Sequence, residues 1–236
     1  MKKYKAILFD MDGTLLPMDN EVFTKGYFKE LAKKLSPIGL EPQKLVDSVW
    51  AGTKQMIKND GSRPNVDVFW EVFENVTGKD IKPFRNASDI FYSNDFANAK
   101  IYTTENPLAK EAVRLAHKAA ETVVCATNPL FPMSGQEMRL SWVGLKKSDF
   151  DLVTSYETDS YCKPNPKYYE TVCERIGVKP EECLHIGNDE LEDMYAASSI
   201  GMECFLVTDS LIPSAEHPWQ GKRGSFAELI DFLGTL

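Results

Sequence analysis

The 236-residue sequence lacks the features that mark several large classes of protein. None of its apolar runs approaches the roughly 20 residues that a membrane-spanning helix needs. Basic residues number 27 against 35 acidic ones, and the net charge of -8 argues against a general nucleic-acid or membrane surface. The amino terminus has neither a long apolar core nor a small-residue cleavage site. We therefore expect no signal peptide and a cytoplasmic location.

The motifs of several common enzyme classes are also missing. The sequence contains no Gly-x-x-x-x-Gly-Lys-Ser/Thr phosphate loop, no Gly-x-Ser-x-Gly serine-hydrolase motif and no His-Glu-x-x-His zinc motif. Cysteine is sparse and forms no Cys-x-x-Cys pair, which favours buried free thiols over a metal or disulfide framework. The cysteines are Cys125, Cys162, Cys173, Cys183 and Cys204.

An acidic turn near the amino terminus organises the chain. The apolar run at residues 6–9 predicts a buried strand of a parallel sheet, and Asp10 and Asp12 follow it. Ligands gather at the carboxyl ends of such strands. Two acids one residue apart point to opposite faces of an extended chain, so both can serve one site only through a turn, which Gly13 allows. A solvated Asp-Gly turn after an ordinary strand is the alternative.

The segment that follows is helical in pattern and shows no strand signal. Apolar residues at helical spacing predict amphipathic helices near residues 28–35, 41–58 and 69–76, and a fourth near 87–96. Most of the aromatic residues lie in this block. We predict an all-helical insert.

From residue 106 onward, strand-like and helix-like segments alternate. This alternation predicts right-handed βαβ units and a parallel sheet covered on both faces, an α/β fold. Predicted strands cover residues 122–126, 152–154, 183–186 and 203–207, and predicted helices cover 107–119, 134–145, 166–176 and 225–232.

Polar side chains follow the principal strands of this predicted sheet. Taken singly, each has a structural explanation as a turn, a surface lysine or a helix cap. Together they suggest one site at the edge of the sheet. The set comprises Asp10, Asp12, Thr127, Asn128, Lys163, Asn188, Asp189 and Asp193.

The set has a specific chemical logic. Converging carboxylates repel one another unless a cation is present, and Mg²⁺ takes oxygen ligands while leaving positions for a substrate phosphate. Asp10 can then attack phosphorus as a nucleophile, forming an aspartyl-phosphate. Lys163 would neutralise the transferring oxygens, and the Thr127 hydroxyl would hold them. Asp12 would protonate the leaving oxygen and later take a proton from water.

These residues resemble, in order, the motifs of the haloacid dehalogenase superfamily of phosphatases. The matching segments are Asp10-x-Asp12-Gly-Thr14, then Thr127 at a strand end, then Lys163-Pro164, then Gly187-Asn188-Asp189 with Asp193. The resemblance implies a Rossmann-like core at residues 1–15 and 98–236, with the first strand in the middle of its sheet. It also implies a helical cap of the subclass I type at residues 16–97. Asn128 would join Thr127 and Lys163 in binding the substrate phosphate.

The resemblance further implies a Mg²⁺ cofactor held by Asp10, Asp12 and an acid of the fourth motif. In the family that acid usually follows the glycine directly, where this sequence has Asn188. We expect Asp189 to bind the metal and Asn188 to support it by hydrogen bonding. Asp193 would hold a metal-bound water or the Lys163 ammonium. A helix-capping role for Asp189 is the alternative.

Asp12 favours phosphoryl chemistry, because the family's dehalogenases displace a halide without a proton and lack this acid. We therefore expect a Mg²⁺-dependent phosphohydrolase acting on a small phosphorylated metabolite, with neither nucleic-acid nor membrane partners. A phosphosugar mutase, a phosphonate hydrolase using a cap lysine such as Lys25 or Lys54, and an inactive regulatory protein are the alternatives. The stretch 50–63, with Lys54, Lys58 and Arg63, could meet an anionic substrate, although a solvated surface is the simpler interpretation. Neither the substrate nor the oligomeric state follows from the sequence.

Overall fold

Six parallel strands form one sheet in this computed structural model, which describes residues 2–236. The strands are β1 (Tyr4–Phe9), β2 (Ala120–Cys125), β3 (Leu152–Val153), β4 (Cys183–Gly187), β5 (Glu203–Val207) and β6 (Lys222–Gly224), in the order β3-β2-β1-β4-β5-β6. The predicted Rossmann-like parallel sheet is confirmed, and β1 lies inside it. Sequence patterns missed β6, because a three-residue polar strand at a sheet edge carries no apolar alternation.

The strand register brings the carboxyl ends of the central strands to one edge. Phe9 at the end of β1 pairs with Cys125 of β2 and Ile186 of β4. Residues 6–9 are fully buried because helices cover both faces of the sheet. The residues that follow each of these strands therefore meet at a common edge.

Four helices make up most of the segment between β1 and β2. They are α1 (Asn20–Leu35), α2 (Pro42–Ile57), α3 (Asn65–Thr77) and α4 (Lys82–Ser93), and a 3₁₀ segment, Asp95–Tyr102, follows. The fourth helix was predicted too late in the chain, since it begins with Pro83 in its first turn and ends where Asn94 leaves the helical conformation. The predicted domain boundary at residue 97 falls inside the 3₁₀ segment. The two-domain division stays a prediction, and its residue 1 lies outside the described residues.

The remaining helices flank the sheet. They are α5 (Ala109–Ala119), α6 (Met133–Trp142), α7 (Pro166–Ile176), α8 (Ala196–Ser198) and α9 (Phe226–Gly234). The predicted start of α5 at residue 107 was too early, because Asn106 accepts a hydrogen bond from the Leu108 N–H and donates to the Leu15 carbonyl. Asn106 therefore closes a turn before the helix instead of capping it.

The helical insert packs directly on the core near this edge. Phe23 of α1 and Phe96 of the 3₁₀ segment both contact Trp142 of α6, and the Phe96 and Trp142 ring centroids are 5.2 Å apart. These side chains belong to one apolar cluster that also contains residues of β1 and β2. Within residues 2–236, no helix combines the length and apolar character needed to cross a bilayer.

Candidate active site

A buried lysine joins two of the predicted carboxylates at the carboxyl edge of the sheet. Asp10 directly follows β1, and Lys163 lies in the loop before α7. The Lys163 Nζ donates to Asp10 Oδ1 at 2.7 Å and to Asp193 Oδ1 at 2.6 Å. Lys163 is 1% exposed and Asp193 is also 1% exposed, so this three-residue network is shielded from solvent. The predicted contact between Asp193 and the Lys163 ammonium is present.

Burial and charge act in opposite directions on the pKa values of this network. Burial raises the pKa of Asp10 well above its ordinary value, and Lys163 opposes that effect while Asp193 and Asp12 add to it. Burial alone would raise the pKa of Asp193, but Lys163 and His185 outweigh it and lower that pKa. Burial would lower the pKa of Lys163, yet its two carboxylate partners raise it well above the ordinary value. Lys163 is therefore held as an ammonium.

Asp193 also shapes the loop that carries the fourth motif. Its Oδ2 accepts the backbone N–H groups of Asn188 and Asp189, each at 3.0 Å. Gly187 must be glycine for this approach, because a Cβ there would lie 2.3 Å from the Asp193 carboxyl carbon. One carboxylate thus orients both Lys163 and the loop.

Asn188 is held rigidly on both sides of its amide. Its Oδ1 accepts from the Thr14 hydroxyl at 3.0 Å, and its Nδ2 donates to the Ser210 carbonyl at 2.7 Å. Asn188 is 2% exposed. It connects the turn after β1 to the loop after β4 by hydrogen bonds, in keeping with a supporting role.

Asp189 caps the helical turn that follows it. Its Oδ1 accepts the N–H groups of Leu191 and Glu192 at 2.7 and 2.8 Å, and these residues open a π-helical segment, Glu190–Tyr195. The alternative capping role is therefore present. The other carboxylate oxygen, Oδ2, has no hydrogen bond to residues 2–236 and is available to a cation. Metal binding by Asp189 stays a prediction.

Asp12 is paired with a buried arginine that the sequence analysis did not identify. Arg139 of α6 donates through Nη1 to Asp12 Oδ2 and through Nη2 to Gln136 Oε1. Its side chain is fully buried, and its guanidinium lies 4.2 Å from the centroid of the Phe131 ring. The sequence did carry a signal that could have identified it. Arg139 is a charged residue next to Leu140 on the apolar face of the predicted helix at 134–145.

Thr127 and Asn128 follow β2 and differ in how they are engaged. Thr127 is 1% exposed, and its hydroxyl has no hydrogen bond to the residues that the structure describes. The Asn128 amide is occupied, because its Oδ1 accepts from the Lys163 N–H at 3.2 Å and its Nδ2 donates to Glu192 at 3.0 Å. Asn128 thus positions the Lys163 loop, and its predicted contact with phosphate stays a prediction.

The donor set is suited to a hard cation. Among residues 2–236, no three His, Cys, Asp or Glu side chains are grouped as a metal site. Mg²⁺ is usually held by only one or two carboxylates and keeps several waters. Asp12 Oδ1 is buried and has no hydrogen-bond partner within the described residues. Because Asp10, Asp12 and Asp189 line one cavity, these oxygens could hold the ion.

That cavity extends from the carboxylates into the helical insert. Its volume is about 410 Å³, within the usual range of ligand sites. Thr127, Asn188 and the site carboxylates line it from the sheet edge, and side chains of α1, α2 and α3 line it from the insert. The site is therefore a partly open cavity that combines carboxylates of the sheet edge with side chains of the insert.

Comparisons with known proteins agree with this geometry. A family model described as haloacid dehalogenase-like hydrolase matches residues 4–201. The glyceraldehyde 3-phosphate phosphatase of Methanothermobacter thermautotrophicus is 26% identical over 98% of this chain and 97% of its own. The phosphoglycolate phosphatase of Nitrosospira multiformis is 24% identical over 86% of this chain and 82% of its own. The crystal structure of a HAD phosphatase from Thermococcus onnurineus covers 98% of each chain with a TM-score of 0.62 at 21% identity, a likeness of fold.

Proposed function

Because the chain belongs to the haloacid dehalogenase-like hydrolase family, we propose that it hydrolyses a small-molecule phosphate monoester through an aspartyl-phosphate on Asp10, with Mg²⁺ as cofactor. The prediction of a phosphatase of this family is confirmed by the family match and by the phosphatases among its relatives. The observation that carries the proposed mechanism is the buried Lys163 that bridges Asp10 and Asp193. A cytoplasmic location and the lack of nucleic-acid and membrane partners stay predictions.

The first chemical step is attack by Asp10. Lys163 binds Oδ1, which leaves Oδ2 to attack phosphorus, and the bond between phosphorus and the leaving oxygen breaks. Lys163 and the Thr127 hydroxyl stabilise the transferring oxygens. When bound, Mg²⁺ offsets the charge that the carboxylates and the phosphate bring together.

Asp12 carries the proton in both steps. As the ester breaks, its carboxyl gives a proton to the leaving oxygen. Water then attacks the phosphorus of the aspartyl-phosphate and gives a proton to Asp12, and the bond to Asp10 breaks to release inorganic phosphate. Arg139 holds Asp12 Oδ2 in place from the buried side of α6. The proposed role of Arg139 is therefore to position the acid.

Phosphonate hydrolysis is less well supported than ester hydrolysis. That reaction would need a cap lysine in the cavity, and no lysine from residues 2–236 lines it. Lys25 pairs with Glu21 on the surface, and Lys54 is exposed. The mutase and the inactive regulatory protein are separated from the phosphohydrolase by the following experiment.

We would assay p-nitrophenyl phosphate and a panel of phosphorylated metabolites with Mg²⁺ and after exhaustive EDTA treatment. We expect release of inorganic phosphate that EDTA abolishes and that Asp10→Asn reduces at least about 1,000-fold. Asp231→Asn, an exposed acid on α9, should leave turnover unchanged. An isomerised phosphate ester without free phosphate would indicate a mutase. Full activity of Asp10→Asn would refute the nucleophile, and full activity in EDTA would refute the metal.

A further inference from the structure

The part of the cavity beyond the carboxylates is lined mainly by aromatic and aliphatic side chains. Tyr27 of α1, Trp50 of α2, and Phe69 and Trp70 of α3 belong to this wall. They come from the helical insert, whereas Asp10 follows β1, so a phosphate ester bound at Asp10 would extend its leaving group toward them. The helical insert therefore offers the leaving group a largely apolar surface.

No cation faces this space. Among residues 2–236, no Lys or Arg lines the cavity, and the charged residues that line it are all acids. The candidate cations Lys54 and Lys58 of the 50–63 stretch are exposed, and Arg63 is paired with Glu71 on the surface. A carboxylate on the leaving group would thus be desolvated against largely apolar side chains without a cation to pair with, which is unfavourable.

From this arrangement we infer that the preferred substrate is a phosphate monoester of an uncharged, largely apolar alcohol. The inference rests on the proposed function and deepens it. An apolar group gains free energy in proportion to the area that it removes from water, and this cavity offers such area close to Asp10. Phosphoglycolate, which carries a carboxylate, should be a poor substrate, although one relative of this chain is a phosphoglycolate phosphatase.

A matched pair of esters tests the inference. Benzyl phosphate and its 4-carboxy derivative share the same leaving-group bond and differ in one remote charge. With Mg²⁺ present, we expect kcat/KM for benzyl phosphate to be at least about 100-fold higher, because burial of the extra carboxylate is uncompensated. Equal values, or a preference for the carboxylated ester, would overturn the inference.

A charge placed in the cavity should reverse part of this preference. Thr53 of α2 lines the cavity, and Thr53→Lys introduces an ammonium there. We expect the ratio of kcat/KM for benzyl phosphate to kcat/KM for its 4-carboxy derivative to fall at least about tenfold, since the carboxylate gains a partner. Gln55→Lys is the matched control, because Gln55 is exposed on the same helix and should leave the ratio unchanged. A ratio that moves equally in both variants would contradict the inference.

Failure of the proposed function is distinguishable from failure of the inference. If neither benzyl ester is hydrolysed but p-nitrophenyl phosphate or a metabolite of the panel is, the inference fails and the proposed function stands. If no phosphate ester is hydrolysed, the proposed function fails, and calorimetry with benzylphosphonate and its 4-carboxy derivative then decides the inference. At least about tenfold tighter binding of the uncharged phosphonate would support an apolar subsite. Equal affinity, tighter binding of the carboxylated compound or no binding of either would overturn it.

Discussion

Two buried cationic side chains at the edge of the sheet pair with different carboxylates. Lys163 is a compact ammonium that bridges Asp10 and Asp193. Arg139 carries a planar guanidinium that donates to Asp12 and to Gln136 of its own helix. A lysine can point several donors at separate acids, whereas a guanidinium fixes the orientation of one acid. Single residues thus assign separate partners to the proposed nucleophile and to the proposed acid.

Removing the Arg139 guanidinium should impair proton transfer more than phosphorus attack. We expect Arg139→Met to lower kcat about 100-fold for an alkyl phosphate, because positioned acid catalysis contributes on that scale. The loss should be smaller for p-nitrophenyl phosphate, whose leaving group needs no proton, and Arg139→Lys should restore part of the activity. The unfolding free energy should fall by about 3 kcal/mol, since one partner of a largely buried pair is lost.

Rapid-quench kinetics of both substrates and urea unfolding give these quantities. Arg114→Met is the matched control, because Arg114 is an exposed helical arginine paired with Glu111. An equal loss of activity for both leaving groups would show that Arg139 only stabilises the fold.

The proposed roles of Asn188 and Asp189 can be distinguished by the Mg²⁺ concentration that variants at each position need for activity. Asp189→Asn keeps the side-chain oxygen that caps the next turn but removes the charge, so we expect a sharp rise, about tenfold or more, in the Mg²⁺ concentration for half-maximal activity. Asn188→Ala breaks the bonds to Thr14 and Ser210 and should lower stability with a much smaller effect on Mg²⁺ demand. Activity titrated with Mg²⁺ distinguishes the two, and the reverse order of severity would make Asn188 the ligand.

At the scale of elements, the turn after β1 brings both proposed catalytic acids to one site. The Gly13 N–H donates to the Leu16 carbonyl at 2.8 Å, and the Leu16 N–H donates to the Met11 carbonyl at 2.8 Å. Gly13 has φ = 85°, a conformation that side chains other than glycine rarely adopt. This turn lets Asp12 face the same cavity as Asp10.

Gly13→Ala should therefore damage both folding and catalysis. A Cβ at Gly13 would lie 2.3 Å from Asn188 Nδ2, so the asparagine and its loop must shift. Gly201→Ala is a close control, because Gly201 has φ = 93° and no atom within 4 Å of the added Cβ. We expect Gly201→Ala to lower the unfolding free energy by about 1–3 kcal/mol from backbone strain alone. Gly13→Ala should lower the unfolding free energy by at least about 2 kcal/mol more than Gly201→Ala does, and it should abolish most of the activity. Urea unfolding and phosphatase assays of both variants measure the difference, and equal effects would argue against the Asn188 contact.

For the whole molecule, the insert and the sheet edge share an apolar cluster, and both contribute residues that line the cavity. The insert contributes the aromatic wall, and the sheet contributes the carboxylates. We therefore expect substrate selection and chemistry to depend on different parts of the chain. This division can be tested because the two connections of the insert to the core lie side by side, where the Thr104 N–H donates to the Pro17 carbonyl at 2.8 Å.

Excision of the insert should separate these two functions. Joining residue 16 to residue 98 through a short linker should leave a folded core that hydrolyses p-nitrophenyl phosphate but no longer discriminates between benzyl phosphate and its 4-carboxy derivative. Because Trp142 and neighbouring apolar groups lose their cover, the melting temperature should fall. Circular dichroism, thermal melting and the ester ratio measure the outcome, and the same excision with Asp10→Asn excludes contaminating activity. A core that does not fold would show that the insert is no separable domain.

The family resemblance implied a first strand in the middle of the sheet, whereas the residue patterns themselves determined the parallel sheet and the edge where the polar residues meet. Those features depend on local periodicity and on the rule that carboxyl ends of parallel strands lie together, so residues 6–9 and Thr127 could be placed without coordinates. The start of α5 and the bounds of α4 were wrong because turn contacts such as that of Asn106 override local helix signals. The edge strand β6 was too short and polar to be recognised.

Tertiary structure decided which side chains become partners. Arg139 and Asp12 are 127 positions apart, and only the packing of α6 against the turn after β1 joins them. Tertiary structure also decided that the Asn128 amide accepts a hydrogen bond from the Lys163 N–H. It likewise decided that the lysines of the insert lie outside the cavity. Such pairings depend on which faces of distant elements meet, and local periodicity specifies that a face is buried without specifying its partner.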